Sequence, residues 1–579
     1  MKRRGMIRLI YVTVIVLMLA GCNKINSGKI TPTQTGEQNV SATPTAQSGE
    51  QNVSATPAAQ SGEQNVTATP TVQPTSQPPV NIALADRELY HYDMDLTLNN
   101  ENKTVSGHVI FDFYNDSADA WDKLCFRDYP SLFTLPENVG LEKGIELFGA
   151  LTEIKNIIDR RDNAVLACER DDDASVIWIK PEKPLLPNEK MTLEYDFVTT
   201  IPQIGDRFGT AAGLYNLANF YPILAEYADG EWSHTAYISV GECFYSEISN
   251  YDVSLTVPKD YAVISTGTEV GKKDNGDTKT ITFEAPCVRD FVFSASAFYS
   301  VDTQVFDDIT VNVMYENRND EGLFPEDNQR PDFSVCARFA MKAAEEALAA
   351  FGNAFGKYPY KELDVIICPL MAGGMEYPNL IQVTDSYYRQ FENIYYEGNP
   401  MKQMLINEFK ICVAHEIGHQ WFMGIVGSNS GMQPWLDESF ASYTELVYAD
   451  YLKTEKNISS MDSLSSLTKS SGDFSNPEVA KTLIMEGTLP IDLPYYDYRN
   501  DDSYIIAVYG NGQRVLRQME EILGRDEFYA VIREYVKLHA FTNAKTEDFF
   551  DVLYKHAGTD NEALNALITN CFSSFYLPE

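Results

Sequence analysis

Histidine is scarce in this sequence, with 7 residues among 579, and basic residues are outnumbered, since 45 Lys and Arg face 83 Asp and Glu. The formal net charge is therefore −38. Such an acidic surface repels phosphate backbones and anionic lipid headgroups, which argues against nucleic acid as a partner and against passive adsorption to anionic lipid. Simple solubility accounts for most of this charge.

The 9 cysteines are scattered and form no C-x-x-C pair, so they indicate no disulfide framework. The apolar run Leu9–Leu19 is too short for a comfortable transmembrane helix. It follows a basic start and leads into Leu-Ala-Gly-Cys22.

We interpret residues 1–22 as a signal peptide that resembles a bacterial lipoprotein signal, in which Cys22 is lipidated and becomes the mature N-terminus. The alternative is an ordinary secretory signal. The expected location is extracytoplasmic, with a lipid anchor at Cys22 holding the protein on the bacterial cell membrane.

Residues 23–82 have few large apolar side chains and are rich in Thr, Ser, Pro, Gln and Ala. The pentapeptide Gly-Glu-Gln-Asn-Val begins at positions 36, 49 and 62. One Val per repeat cannot bury a solenoid core, so this stretch is predicted to be a disordered linker that holds the folded part away from the membrane.

The rest of the chain is long enough for two domains. From residue 83 to 302, apolar residues alternate at period two, as in Tyr92, Met94, Leu96 and Leu98. This pattern predicts antiparallel sheets with one solvated face. From 303 to 579 helical spacing dominates, with a buried strand at Leu363–Cys368, which predicts an α+β domain.

One helix in this second domain contains candidate catalytic residues. His415, Glu416 and His419 form an H-E-x-x-H motif inside an apolar run. Residues four apart lie on one helical face, so the two imidazoles can bind one metal ion while Glu416 lies beside them and can act on water.

A catalytic zinc ion takes three protein ligands. After eighteen intervening residues, an amphipathic helix start places a carboxylate at Glu438. The metzincin spacing would need Gly at position 422 and His at 425, where the chain has Phe422 and Ile425. One zinc ion held by His415, His419 and Glu438 is therefore expected.

These segments resemble the gluzincin zinc metallopeptidases of the aminopeptidase N family. The sequence Gly373-Gly374-Met375-Glu376-Tyr377 resembles that family's G-x-M-E-N signature, with Tyr where Asn is usual. The stretch Tyr509-Gly-Asn511-Gly512 resembles its Y-x-K-G segment, with Asn511 in place of Lys. The four segments, which carry Glu376, the H-E-x-x-H motif, Glu438 and Tyr509, occur along the chain in the same order as in the family.

The resemblance implies a multidomain α+β fold: an N-terminal antiparallel β domain shaped like a saddle (83–302), followed by a thermolysin-like, mostly helical catalytic domain (303–579). It also implies a short form that lacks the family's C-terminal helical domain.

The resemblance also implies a role for each matching residue. Glu416 is the general base, and Tyr509, more than Tyr504, hydrogen-bonds the oxyanion. Glu376 binds the free α-amino group of the substrate, beside Gly373, Gly374 and Met375. Glu445, seven residues after Glu438, hydrogen-bonds a ligand histidine.

The expected function is a zinc aminopeptidase whose partners are peptides with a free N-terminus. Two alternatives stay open. An endopeptidase would need an open cleft, and the sequence identifies no second amine-binding residue in the β domain. A surface binding protein on the same scaffold would not need Glu416.

Overall fold

The structure is a computed structural model and describes residues 80–139, 150–238, 240–317, 332–392, 400–459, 473–574 and 576. The chain divides after Pro78 into two units, and every described residue belongs to the second unit. The predicted signal peptide, Cys22 and the linker up to residue 79 lie outside the described residues.

The strands, in chain order, are β1 (Tyr90–Asn99), β2 (Thr104–Tyr114), β3 (Leu124–Arg127), β4 (Thr152–Asp159), β5 (Ala164–Val165), β6 (Cys168–Arg170), β7 (Val176–Ile179), β8 (Lys190–Thr200), β9 (Phe208–Ala211), β10 (Leu214–Leu217), β11 (Ile223–Leu224), β12 (Tyr227–Ala228), β13 (Glu231–Trp232), β14 (Ser249–Pro258), β15 (Ala262–Ser265), β16 (Thr268–Asp274), β17 (Thr278–Val288), β18 (Phe293–Ser296), β19 (Tyr299–Phe306), β20 (Ile309–Glu316), β21 (Glu362–Cys368), β22 (Gly374–Met375), β23 (Leu380–Thr384), β24 (Val426–Gly427) and β25 (Thr542–Asn543).

The helices are α1 (Phe333–Phe355), α2 (Ser386–Glu392), α3 (Pro400–Gly418), α4 (Glu438–Lys456), α5 (Pro477–Glu486), α6 (Asp501–Ile505), α7 (Gly512–Leu523), α8 (Arg525–His539), α9 (Thr546–Ala557) and α10 (Glu562–Cys571). A π-helical turn, Ile506–Asn511, joins α6 to α7.

An eight-stranded sheet is the main layer of the N-terminal part, in the order β16-β17-β14-β1-β2-β8-β4-β5. On β1 the side chains of Tyr92, Met94, Leu96 and Leu98 are buried, as their period-two spacing predicts. The sheet is antiparallel except at β1 and β14, which pair in parallel. This parallel pair was not predicted, because its strands are more than a hundred residues apart and periodicity carries no pairing direction.

A second sheet, of five strands, carries the candidate site, in the order β19-β20-β21-β23-β22. Strands β20, β21 and β23 are parallel, and the short β22 pairs antiparallel with β23 at the edge. The predicted domain boundary at residue 303 falls inside β19, which pairs along its whole length with β20.

The helices pack on this sheet. Helix α1 contacts β20, α3 and α4, and α3 also contacts α2 and β23. Helix α1 ends at Phe355 and is followed by Gly356 at φ 121°. The fold class is confirmed: an N-terminal β domain precedes a mostly helical region. Among the described residues, no helix combines the length and apolar character needed to cross a bilayer.

Candidate active site

The last turn of α3 and the residue that follows it place two histidines side by side. His415 and His419 are four residues apart, and their Nε2 atoms lie 3.2 Å from each other. Helix α4 comes close because Gly418 ends α3, and a Cβ there would lie 2.2 Å from the Thr444 Oγ1 atom. The glycine of the H-E-I-G-H segment therefore allows the next helix to bring its own side chains to the histidines.

Glu438, the first residue of α4, completes a triangle of candidate ligand atoms. Its Oε2 atom lies 3.4 Å from His415 Nε2 and 3.3 Å from His419 Nε2. This oxygen is buried and has no hydrogen-bond partner among the described residues. The structure therefore brings together the three residues that the sequence predicted as metal ligands.

Each histidine is held by a carboxylate on its other ring nitrogen. Glu445 Oε1 lies 2.9 Å from His415 Nδ1, and Asp437 Oδ1 lies 2.6 Å from His419 Nδ1. An Nδ1–H that donates to a carboxylate leaves the lone pair of Nε2 free for a metal ion. The sequence analysis predicted Glu445 and missed Asp437, although this aspartate directly precedes Glu438.

These donors fit a zinc ion. Bonds of about 2.0–2.1 Å in a tetrahedron separate neighbouring ligand atoms by about 3.3–3.4 Å, which matches the triangle found here. Burial lowers the pKa of His415, but hydrogen bonds to Glu438 and Glu445 outweigh burial and raise that pKa to about 10. The same negative field favours a bound cation. His419 also forms a second candidate group with Glu376 and Glu416.

Glu416 lies beside the triangle and is almost fully buried. Burial raises the pKa of its carboxyl to about 8, nearby His415 lowers it and Glu376 raises it again. A Cβ on Gly374 would lie 2.2 Å from Glu416 Oε1. Glycine is thus the only residue that lets β22 lie directly against this carboxylate, a reason that the sequence alone did not reveal.

Two tyrosines border the histidines on another side. The Tyr509 hydroxyl donates to Glu438 Oε1 at 2.5 Å, and its ring stacks on that of His415 at an interplanar angle of 13°. Tyr504 is buried edge-to-face against Tyr509. The π-helical turn that holds Tyr509 is docked on α4 through a 2.6 Å hydrogen bond from Ser439 Oγ to the carbonyl of Val508.

The position of Asn511 shows what replaces the lysine that is usual in the family. Asn511 is buried, and its Nδ2 donates to the Thr488 carbonyl at 2.8 Å. Next to it, a Cβ on Gly512 would lie 2.0 Å from Ser439 Oγ, so this glycine permits the close packing of α7 on α4. Asn511 therefore supports the turn that carries Tyr509.

Glu376 lies at the end of the edge strand β22, and it is buried. Burial raises the pKa of its carboxyl to about 7, His419 lowers it, and Glu438 and Asp437 raise it. Met375 pairs with Gln382 of β23, so the opposite edge of β22 has no strand partner within the described sheet. An extended peptide can pair with that edge.

The β domain contributes two charged residues that the sequence analysis missed. Glu242 is buried, and its Oε2 lies 3.3 Å from Arg207 Nη1. Burial raises the pKa of Glu242 to about 8, Arg207 lowers it and the carboxylate of Glu376 raises it. A Cβ on the adjacent Gly241 would lie 2.3 Å from the Tyr504 hydroxyl. Neither residue lies in a recognisable motif, since only the tertiary fold brings this loop to the site.

The fold and the site together indicate the class of protein. An H-E-x-x-H helix, a glutamate at the start of the next site helix and a carboxylate at a sheet edge are typical of gluzincin metallopeptidases.

The family follows from comparison with known proteins. Residues 339–572 match the family model described as Peptidase family M1 domain. This part of the chain is a peptidase M1 domain, which confirms the resemblance to the aminopeptidase N family.

Several relatives carry aminopeptidase names. Aminopeptidase M1 of Arabidopsis thaliana is 26% identical over 333 residues, which cover 56% of this chain and 34% of the relative. Tricorn protease-interacting factor F2 of Thermoplasma volcanium is 26% identical over 242 residues, or 41% of this chain and 28% of the relative. The chain thus spans about a third of the length of the curated relatives it matches.

A solved structure supports the fold over a longer stretch. The M1 zinc metallopeptidase from Deinococcus radiodurans has a TM-score of 0.53 and 16% identity, covering 87% of this chain and 96% of that protein. A variant of the same protein has been solved with a Tyr-Ser-Ala substrate, at a TM-score of 0.54 and 16% identity, covering the same shares of the two chains.

Proposed function

We propose that this protein is a zinc-dependent aminopeptidase that removes the first residue from peptides with a free N-terminus. One observation carries the proposal: the triangle of His415, His419 and Glu438 shares a buried site with the edge-strand carboxylate Glu376. The triangle could hold the metal ion that hydrolysis needs, and the carboxylate could bind an ammonium group.

His415, His419 and Glu438 would hold one zinc ion. When bound, zinc supplies a Lewis acid that polarises the scissile carbonyl and makes an attacking water more acidic. Glu445 and Asp437 keep the two imidazoles oriented through their Nδ1 atoms.

Glu416 is the proposed general base. Its carboxylate lies close to His419 and against β22, along which the substrate would lie. In the proposed reaction, Glu416 takes a proton from the attacking water and delivers it to the leaving amine nitrogen. A carboxylate whose pKa is raised is a stronger base for the first transfer.

Tyr509 is the proposed donor to the oxyanion. Its hydroxyl hydrogen-bonds Glu438 Oε1 at 2.5 Å, so it already lies beside the candidate ligands. A short rotation would let it donate to the substrate oxygen as negative charge develops there. Tyr504 packs against the Tyr509 ring and would limit the positions of that hydroxyl.

Glu376 is the proposed partner of the substrate ammonium, with Glu242 of the β domain adding negative charge at the same end. The two carboxylates influence each other's protonation, and Arg207 compensates part of the charge of Glu242. A buried ammonium–carboxylate pair fixes the N-terminus, so only the first peptide bond reaches the zinc. The Tyr-Ser-Ala complex of the Deinococcus radiodurans protein supports a peptide as the substrate class.

We also propose export and lipid anchoring at Cys22. The support is the sequence pattern of residues 1–22 and the composition of the linker that follows.

The experiment that tests the activity is a panel of amino-acid anilides, each offered with a free and an acetylated amine, with and without a chelator. We expect hydrolysis of the free amines, loss of activity with the chelator and recovery on adding zinc. Internal cleavage of blocked peptides at equal rates would indicate the endopeptidase instead. Zinc binding without any turnover would indicate the binding protein.

A further inference from the structure

The segment Glu376–Asn379 joins edge strand β22 to the adjacent strand β23 and presents the proposed amine-binding carboxylate. The turn that follows α3 holds its backbone from one side. Gln420, the residue after His419, donates from Nε2 to the Tyr377 carbonyl at 3.1 Å and accepts from the Asn379 amide at 2.9 Å.

The β domain holds the same segment from the opposite side. Thr266 Oγ1 donates to the Pro378 carbonyl at 2.8 Å, and the Gly267 amide donates to Asn379 Oδ1 at 3.3 Å. The position of Glu376 is therefore set by two domains together.

Tyr377 makes the deepest of these contacts with the β domain. Its ring is buried in an apolar cluster with Leu214 and Val292, and its hydroxyl donates to Asn219 Oδ1 at 3.2 Å. The family signature has Asn where this chain has Tyr377, so the link to Asn219 is made by the residue that departs from the signature.

The link continues through buried polar groups. Asn219 Nδ2 donates to Asp290 Oδ2 at 2.8 Å, and Asp290 Oδ1 accepts from the Tyr221 hydroxyl at 2.7 Å and from the Phe291 amide at 2.8 Å. Every polar atom named here has a partner, and a fully satisfied buried network is rigid.

We infer that Tyr377 is a positioning residue that fixes Glu376 against the β domain through Asn219 and Asp290, and so adjusts recognition of the substrate ammonium. Successive side chains of an extended segment point in opposite directions. Glu376 faces the site while Tyr377 enters the core, and a displacement of one moves the other. This inference rests on the proposed aminopeptidase function.

The test compares two inhibitors that share a side chain and a metal-binding group. Leucine hydroxamate carries the free amine, and N-acetyl-leucine hydroxamate does not. For Tyr377→Phe we expect the inhibition constant of leucine hydroxamate to rise about threefold to tenfold, the range for one lost hydrogen bond that acts through position. The constant of the acetylated compound and the zinc content should stay unchanged.

Tyr360→Phe is the matched control. The Tyr360 hydroxyl is also buried between the domains but donates to the Cys287 carbonyl at 2.6 Å, away from the segment. This variant should lose similar thermal stability without changing either inhibition constant.

A second variant tests whether Tyr377 acts through Asn219. Asn219→Gly suits the backbone φ of 49° and removes the acceptor for Tyr377. It should raise the leucine hydroxamate constant like Tyr377→Phe, and the double variant should add little. Equal changes for both inhibitors, no change for either, or additive effects would overturn the inference. If the unmutated protein bound both inhibitors equally, the proposed function itself would fail.

Discussion

At the scale of single residues, the site consists of two histidines and the carboxylates that contact them. Glu438 offers an unpartnered oxygen to the metal position, while Glu445 and Asp437 bind the far nitrogens of the imidazoles. The H-E-x-x-H spacing was sufficient to predict His415 and His419, because helical geometry fixes neighbours four apart. Glu242 and Arg207 could not be predicted, because tertiary contacts alone bring them to the site, whereas Asp437 is adjacent to Glu438 in the sequence and was missed.

The first prediction separates metal binding from proton transfer. His419→Ala should lose zinc, because it removes one of three ligands. Glu416→Gln should retain about one zinc per chain and lose turnover, because its side chain keeps its shape but cannot take a proton. Elemental analysis and activity on the same samples check both. A metal-free protein with normal turnover would contradict the mechanism.

The second prediction concerns the two tyrosines. Tyr509→Phe removes the hydroxyl beside Glu438 and should lower kcat by about 10²–10³, the typical effect of losing one oxyanion donor. Tyr504→Phe should lower kcat by a smaller factor, because the packing of its ring remains. Steady-state kinetics on one anilide measure both variants. The opposite ranking would mean that Tyr504 is the donor.

At the scale of elements, glycines set how closely the site elements approach one another. The lack of a side chain at Gly418 lets α4 approach the histidines. In the same way, Gly374 lets β22 approach Glu416, and Gly512 lets α7 approach Ser439. The sequence predicted a β-rich part followed by a helical part, since period two and helical spacing are local signals. It could not predict the parallel pairing of β1 with β14, nor the π-helical turn at Tyr509, because both depend on packing.

The third prediction follows from Gly374. Gly374→Ala places a methyl group within reach of Glu416 Oε1 and should displace that carboxylate or β22. We expect kcat to fall at least tenfold with zinc content preserved. Gly271→Ala, in β16 of the β domain, is the control, because its Cβ would have no heavy atom closer than 3.6 Å. Equal activity of the two variants would show that the contact has no effect on turnover.

At the scale of the whole molecule, composition predicted the order of parts: a low-complexity stretch, a β domain and a helical domain. The buried contacts between the β domain and the site, such as Tyr377 with Asn219, require both folded domains together.

The fourth prediction tests the N-terminal region. Cys22→Ser should abolish lipidation, measured by incorporation of labelled fatty acid, and release the protein from membranes. A chain starting at Ile82 should be soluble and as active as the full chain, because every proposed site residue lies after it. A large loss of activity in this truncated chain would mean that residues 23–81 contribute to the enzyme.

The central claim is that a buried carboxylate selects free N-termini, and Glu376→Gln tests it most directly. This change keeps the shape of the side chain and removes the charge that pairs with the substrate ammonium. A charge-assisted hydrogen bond contributes about 1.5–3 kcal/mol, which corresponds to a fall in kcat/KM of about 10- to 100-fold on free-amine peptides. The account predicts that fall with unchanged zinc content and no comparable fall on N-acetylated peptides. Equal kcat/KM for the unmutated protein and Glu376→Gln on free-amine peptides would contradict it.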